Sequence, residues 1–225
     1  MKRRTLDLLF AGGGVLFAIL FLVLGLVLQN QADFANTYVA HQLGDQKIVF
    51  TPAAYLAGAD TQPGGDCLVT YAEQPMTTGK QAECYANQYI AFHLSEAAKA
   101  AGYEGGTFAT LGSVVRTDLP AAVKAVQDQI DAAKAAGQPT TDLDTQLVAA
   151  QAKLASGSAL RDTMFQGETL RGLLLTSYGF SIFGERAGQA AMLCFLGAAL
   201  LLILSVAGFI HAFRTPKDEL VLKSA

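Results

Sequence analysis

Two long apolar runs are separated by a stretch in which apolar residues recur at helical rather than alternating spacing. From Leu6 to Leu28 the only charge is Asp7, and a run of this length meets the roughly 20 apolar residues needed to cross about 30 Å of hydrocarbon. A first span over residues 8–28 is therefore expected. A second uncharged run follows Glu185 and Arg186, and predicts a span over residues 187–213. A secretory signal peptide would also begin with basic residues such as Lys2, Arg3 and Arg4. Its apolar stretch is usually shorter, however, and ends in a small-x-small site, which the following QNQADF does not provide. An uncleaved anchor is the favoured reading.

Between the spans, residues 29–186 form one expected domain. Phe34, Tyr38 and His41 share one helical side, so the first span should continue as a helix to about Gly44. KIVFT is β-branched and stopped by Pro52, and reads either as one strand or as an extended linker. AGADTQPGGDC has the composition of a loop. Thr78 with Gln81 is a capping-box pair, and Tyr85, Tyr89 and Phe92 continue at i, i+4 and i+7, which predicts a helix. After a second loop, Val123, Val126 and Ile130 mark one amphipathic run, and Leu143, Leu147, Ala150 and Leu154 mark another. GQPT at residues 137–140 breaks the two, which predicts a helical hairpin over residues 119–155. The chain is expected to restart after Gly157, and the apolar stretch at residues 170–184 is too short to span. That stretch either lies at the membrane interface or is buried under the domain.

Composition and charge refine this pattern. The 225 residues are 52% hydrophobic and only 16% charged, which points to a membrane protein and excludes extensive disorder. A net charge of −3, with no basic run after the first residues, gives no reason to expect nucleic acid. Lys2, Arg3 and Arg4 before the first span, and Arg214, Lys217 and Lys223 after the second, place residues 1–7 and the tail 214–225 in the cytoplasm. The expected architecture is thus mainly α: two transmembrane helices of the plasma membrane flanking a largely helical extracytoplasmic domain with a helical hairpin.

That topology sorts the three cysteines. Cys67 and Cys84 fall outside, in an oxidising compartment, and Cys194 falls within the second span as a small packing residue. A disulfide between the outer pair is favoured over two free thiols, and would contribute about 3 kcal/mol in the chain-entropy picture. Within the second span Ala190, Cys194, Gly197, Leu201, Ser205, Gly208 and Ala212 recur every three or four residues, while Gly14, Ala18 and Gly25 lie on one side of the first. Such small faces either pack the two spans on each other, the simpler reading, or form a groove for a partner helix.

Residues able to carry chemistry are few. The histidines are His41, His93 and His211, and the last sits at the cytoplasmic end of the second span. Cys84 and His93 are nine apart on one expected helix and point to opposite faces, while His93 with Glu96 reads as a surface pair. The glycines at residues 12–14 lie inside a span and lack the Lys and Ser or Thr of a phosphate loop, and there is no G-x-S-x-G elbow. No catalytic residue, metal ligand or cofactor is assigned.

The opening MKRRTLDLLF, the YANQYIAFHL helix, and FQGETLRGLLL ahead of the second span resemble a group of actinobacterial two-span membrane proteins of unknown function. Members of that group often carry the label of aromatic ring-opening dioxygenase, which implies a non-haem iron centre. A facial triad requires two histidines and a carboxylate, and only His41 and His93 share a side of the membrane in the expected topology. The expectation from the residues is an envelope or membrane-complex interaction protein, anchored in the lipid bilayer, with an envelope or membrane protein as partner. A ligand-binding or sensing domain comes second and an enzyme third.

Overall fold

The computed structural model describes residues 2–216, so Lys217 and Lys223, counted above for orientation, lie outside the described residues. The described chain is mainly helical, with no named strand. Helix α1 (Arg3–Asp45) carries the first apolar run and continues well past it, and α7 (Thr141–Arg214) carries the second. Both are long and apolar enough to cross a membrane. Between them lie α2 (Asp66–Thr70), α3 (Gly79–Cys84), α4 (Ala91–Ala100), α5 (Leu111–Ser113) and α6 (Leu119–Ala135). π-helical stretches at Tyr85–Ile90 and Val114–Asp118 join α3 to α4 and α5 to α6.

The chain divides into two compact units. The first pairs α1, up to Gln42, with α7 from Gly179 onward. Its two helices are antiparallel: Ala35 meets Gly184 near one end and Ala11 meets Gly208 near the other. The buried positions fall at heptad spacing, Ala11, Ala18, Gly25, Ala32 and Val39 on α1, and Gly184, Ala191, Ala198, Ser205 and Ala212 on α7. A seven-residue repeat of small side chains is the pattern of closely approaching left-handed helix pairs. The outer surface is the opposite in character: Leu16, Phe17, Leu20, Leu193, Leu200 and Ile203 are among many large apolar side chains left exposed. Covering each is worth about 1.5–3 kcal/mol, so a surface of this kind calls for lipid or protein around it.

The second unit, Leu43–Tyr178, is built like a water-soluble domain. KIVFT is extended, and its Phe50 N–H donates to the Gln74 carbonyl at 3.0 Å while Met76 N–H donates to Ile48 at 2.9 Å. An isolated antiparallel bridge pairs Val49 with Pro75. Phe50, Leu68 and Met76 are fully buried, and a further cluster gathers Ala98, Leu111, Leu160 and Met164. Gly137 takes a φ of 66° in the turn after α6, a conformation that favours glycine, and Leu119 at the far end of α6 lies against Gly157 of α7.

Three expectations change. First, α7 does not restart after Gly157, and residues 170–184 are not a separate segment but the middle of a continuous 74-residue helix. Gly157, Gly167 and Gly184 sit where Leu119, Leu94 and Ala35 press closest, so the loss of about 1 kcal/mol that an interior glycine costs is offset by close packing. Second, the stretch read as loop before Cys67 ends in a short helix, α2, whose first residue is Asp66. Third, His93 does not pair with Glu96: its Nδ1 lies 2.7 Å from the Tyr89 carbonyl oxygen, and Glu96 is 3.8 Å from Lys99.

Candidate functional site

In the second unit the cysteines organise the most elaborate local chemistry. Gly65 brings the chain against the Ala59 carbonyl so closely that a Cβ would collide with it, and α2 starts immediately afterwards. Across from it, α3 begins at a complete capping box. Gln81 N–H donates to Thr78 Oγ1 at 3.3 Å, and Gln81 Oε1 accepts from the backbone N–H groups of Thr78 at 3.0 Å and Thr77 at 2.8 Å. With both helix starts fixed, Cys67 and Cys84 lie at disulfide distance, their Cα atoms 6.1 Å apart.

Beside the disulfide is a cavity of about 270 Å³ whose lining includes Tyr71, Lys80, Glu83, Asn87 and Gln88. Aromatic rings run on from it: Phe50 contacts Tyr71 at 5.5 Å and Tyr85 at 5.4 Å, Tyr85 stacks on Tyr89 at 4.7 Å, and Tyr89 meets His93 at 4.3 Å. Burial pushes the Tyr85 hydroxyl above its ordinary value near 10, and the neighbouring Tyr89 adds to the shift. The π-helical register at Tyr85–Ile90 places the Ala86 carbonyl where Arg171 of α7 can reach it. Arg171 Nε donates to that carbonyl at 3.0 Å and its Nη2 to Asn87 Oδ1 at 3.2 Å, so a single guanidinium fastens α7 to the wall of the cavity. Sequence pattern gave no sign of the π-turn or of Arg171. A strong helix signal with an unusual run of Tyr, Asn and Gln was the only trace.

In the first unit the small residues singled out from the sequence lie as follows. A Cβ on Gly14 would run into Ser205, Gly25 receives the ring of Phe195, and Gly197 receives the ring of Phe21. Ala18 and Ser205 are buried, and Gly208 packs on Ala11. Ala190 and Cys194 are only half-buried, at the margin of the seam, and Cys194 is a free thiol. Two central residues, Ala191 and Ala198, escaped the sequence reading because a spacing counted from Ala190 runs one position beside them. Near the ends of the pair that carry the chain termini, Asp7, Ser205 and His211 line a second cavity, of about 230 Å³.

Among the described residues no three His, Cys, Asp or Glu side chains converge to hold a metal ion. The donor set of a facial iron triad is therefore not assembled, and no step through such a centre is derived. No protein-family model matches the chain, and neither a curated protein nor a solved structure is significantly similar to it.

Proposed function

We propose that this chain is a membrane-anchored interaction or accessory protein of the cell envelope or of a membrane complex. In this reading α1 and α7 hold it in the plasma membrane, both termini face the cytoplasm, and the helical unit with its α6–α7 hairpin works outside. The observation that carries the reading is the division of labour between the units. The first shows an apolar exterior around a seam of small residues, and the second is capped, cross-linked and built around a core of its own. Since the small faces of α1 and α7 meet each other, a partner has the outer surface of the helix pair or the second unit to engage. Tyr55, Val69, Val148 and Phe165, large apolar side chains exposed on the second unit, are of the kind that anchor protein interfaces.

The test is affinity purification of the tagged protein from native membranes in mild detergent, with cross-linking and mass spectrometry. A stoichiometric membrane or envelope partner is expected, and recovery of a monodisperse protein alone would overturn the reading. Labelling of intact cells with a membrane-impermeant thiol reagent tests the orientation: Cys67 and Cys84 should react only after reduction. Labelling only after lysis would reverse the topology.

The cavity beside the disulfide favours a second reading, a binding or sensing site for a small polar molecule. It places Lys80 and Glu83, of opposite charge, with the amides of Asn87 and Gln88 around one space. Thermal-shift screening against amino acids, sugars and lipids separates this from a purely structural domain, since only a binding site gives saturable, ligand-specific stabilisation.

A further inference from the structure

The cavity at the terminal ends of the helix pair, beside Asp7 and His211, has chemistry that packing alone does not explain. Gly14 and Gly208 leave the space open, and Asp7 and Ser205 face it together with His211 from the other end of the chain. Asp7 Oδ2 is out of contact with solvent and has no hydrogen-bond partner. A buried carboxylate oxygen without a hydrogen bond is costly, and a donor cation is what relieves it. One turn earlier on the same face of α1, Arg4 lies over the ring of Phe213 at 5.7 Å rather than against Asp7. His211 is held through Nδ1 by Thr215 Oγ1 at 3.1 Å. Arg4, engaged on Phe213, and Asp7, whose Oδ2 has no partner, thus lie one turn apart on α1, at the end of two helices able to span a membrane. Phe10 and Leu204 at the rim are exposed, so the cavity opens on the apolar exterior of the pair.

We propose that this cleft seats the zwitterionic headgroup of an aminophospholipid, with its ammonium on Asp7 and its phosphate on Arg4. The proposal rests on the membrane reading above, under which Arg4, Asp7 and His211 sit at headgroup depth. A primary ammonium brings N–H donors for the Asp7 carboxylate and the Ser205 hydroxyl, which a quaternary choline group lacks. The basic side chain of a partner helix would satisfy Asp7 but bring no anion to Arg4, and so fits less of the site.

The experiment is native mass spectrometry of the full-length, detergent-purified protein titrated with phosphatidylethanolamine, phosphatidylcholine and phosphatidylglycerol of matched acyl chains. The wild type should retain phosphatidylethanolamine about five- to tenfold better than phosphatidylcholine. Asp7→Asn should erase that preference, Asp7→Glu should keep much of it, and Arg4→Gln should weaken all three lipids alike. A disulfide cross-link between Ala35→Cys and Gly184→Cys, at the other end of the pair and away from the cleft, formed in each background, reports that the helix pair is intact. Equal retention of the two zwitterionic lipids, or an unchanged preference in Asp7→Asn, would overturn the proposal, as would a partner protein cross-linked at Asp7. Release of the protein from membranes by alkaline carbonate would instead overturn the membrane reading itself. Retention in the membrane without lipid preference would remove the headgroup site alone.

Discussion

The two units draw their stability from different sources. In the helix pair, Gly14 and Gly208 let one helix approach the other, Gly25 and Gly197 receive the rings of Phe195 and Phe21, and many other large side chains point outward. Under the membrane reading no hydrophobic force drives these helices together, so contact depends on the close fit of glycine and alanine at the seam. In the second unit Gly65, Gly157 and Gly167 also permit close approach and Gly137 shapes a turn, but stability comes from buried Phe50, Leu68, Met76, Leu111 and Met164 together with a covalent link. The lesson is that burial is a measure of stability only where water is the solvent. The pair buries few large side chains and is nonetheless built to associate.

The comparison breaks most visibly at the disulfide. Cys67→Ala with Cys84→Ala should cost the second unit about 2–5 kcal/mol, seen as a lower denaturation midpoint, while cross-linking between Ala11→Cys and Gly208→Cys stays unchanged. Equal damage to both units would show that they fold as one. Next comes Arg171→Ala, which removes two hydrogen bonds from a charged donor and frees the Ala86 carbonyl. A loss of about 1.5–3 kcal/mol is expected, with hydrogen exchange accelerating at Tyr85–Ile90 before the rest of the unit. Arg171→Lys should recover little, because one ammonium cannot reproduce the two-pronged geometry.

The converse perturbation acts on the helix pair. Gly25→Leu forces a side chain into the ring of Phe195 and should weaken the seam by about 1–3 kcal/mol. The readout is a reduced Ala11→Cys to Gly208→Cys cross-link, with no change in denaturation of the second unit. Gly12→Leu is the control, since nothing lies within 4 Å of a Cβ there. A smaller effect, about 1 kcal/mol, is expected from Thr78→Ala, which removes the acceptor for the Gln81 N–H.

What the sequence made legible follows from how local each cause is. The apolar runs, the capping box at Thr78 and Gln81, and the end of α1 near Gly44 depend on residues within a turn or two of one another, and the helices found there follow those signals. The continuity of α7 was not legible. Gly157 and Gly184 look like helix breakers in isolation, and only the distant Leu119 and Ala35 explain why they are not. Nor was Arg171, whose partners Ala86 and Asn87 lie 85 and 84 residues away, nor the cavity beside Cys67, which depends on how α2 packs on α3. Asp7 was read as a charge at the edge of a span, and its isolation becomes visible only when His211 and Ser205 stand across from it.

The second unit has a response to alkali of its own, without effect at neutral pH. Tyr85 packs between Phe50 and Tyr89, and burial first, then the charge of Tyr89, raises its pKa above the ordinary value near 10. Between the unfolded and folded values the folded unit keeps its phenolic proton while the unfolded chain loses it. Proton binding then favours the folded state less with each step in pH, and stability falls. The contribution is fully present below about pH 10 and is lost as pH rises through the folded value. Tyr85→Phe removes the titrating group but keeps the ring, so its denaturation midpoint should be flatter with pH above 10 than that of the wild type. Parallel alkaline profiles for the two would show that the hydroxyl is solvated in the folded unit, and that the aromatic ladder does not seal the wall behind the disulfide.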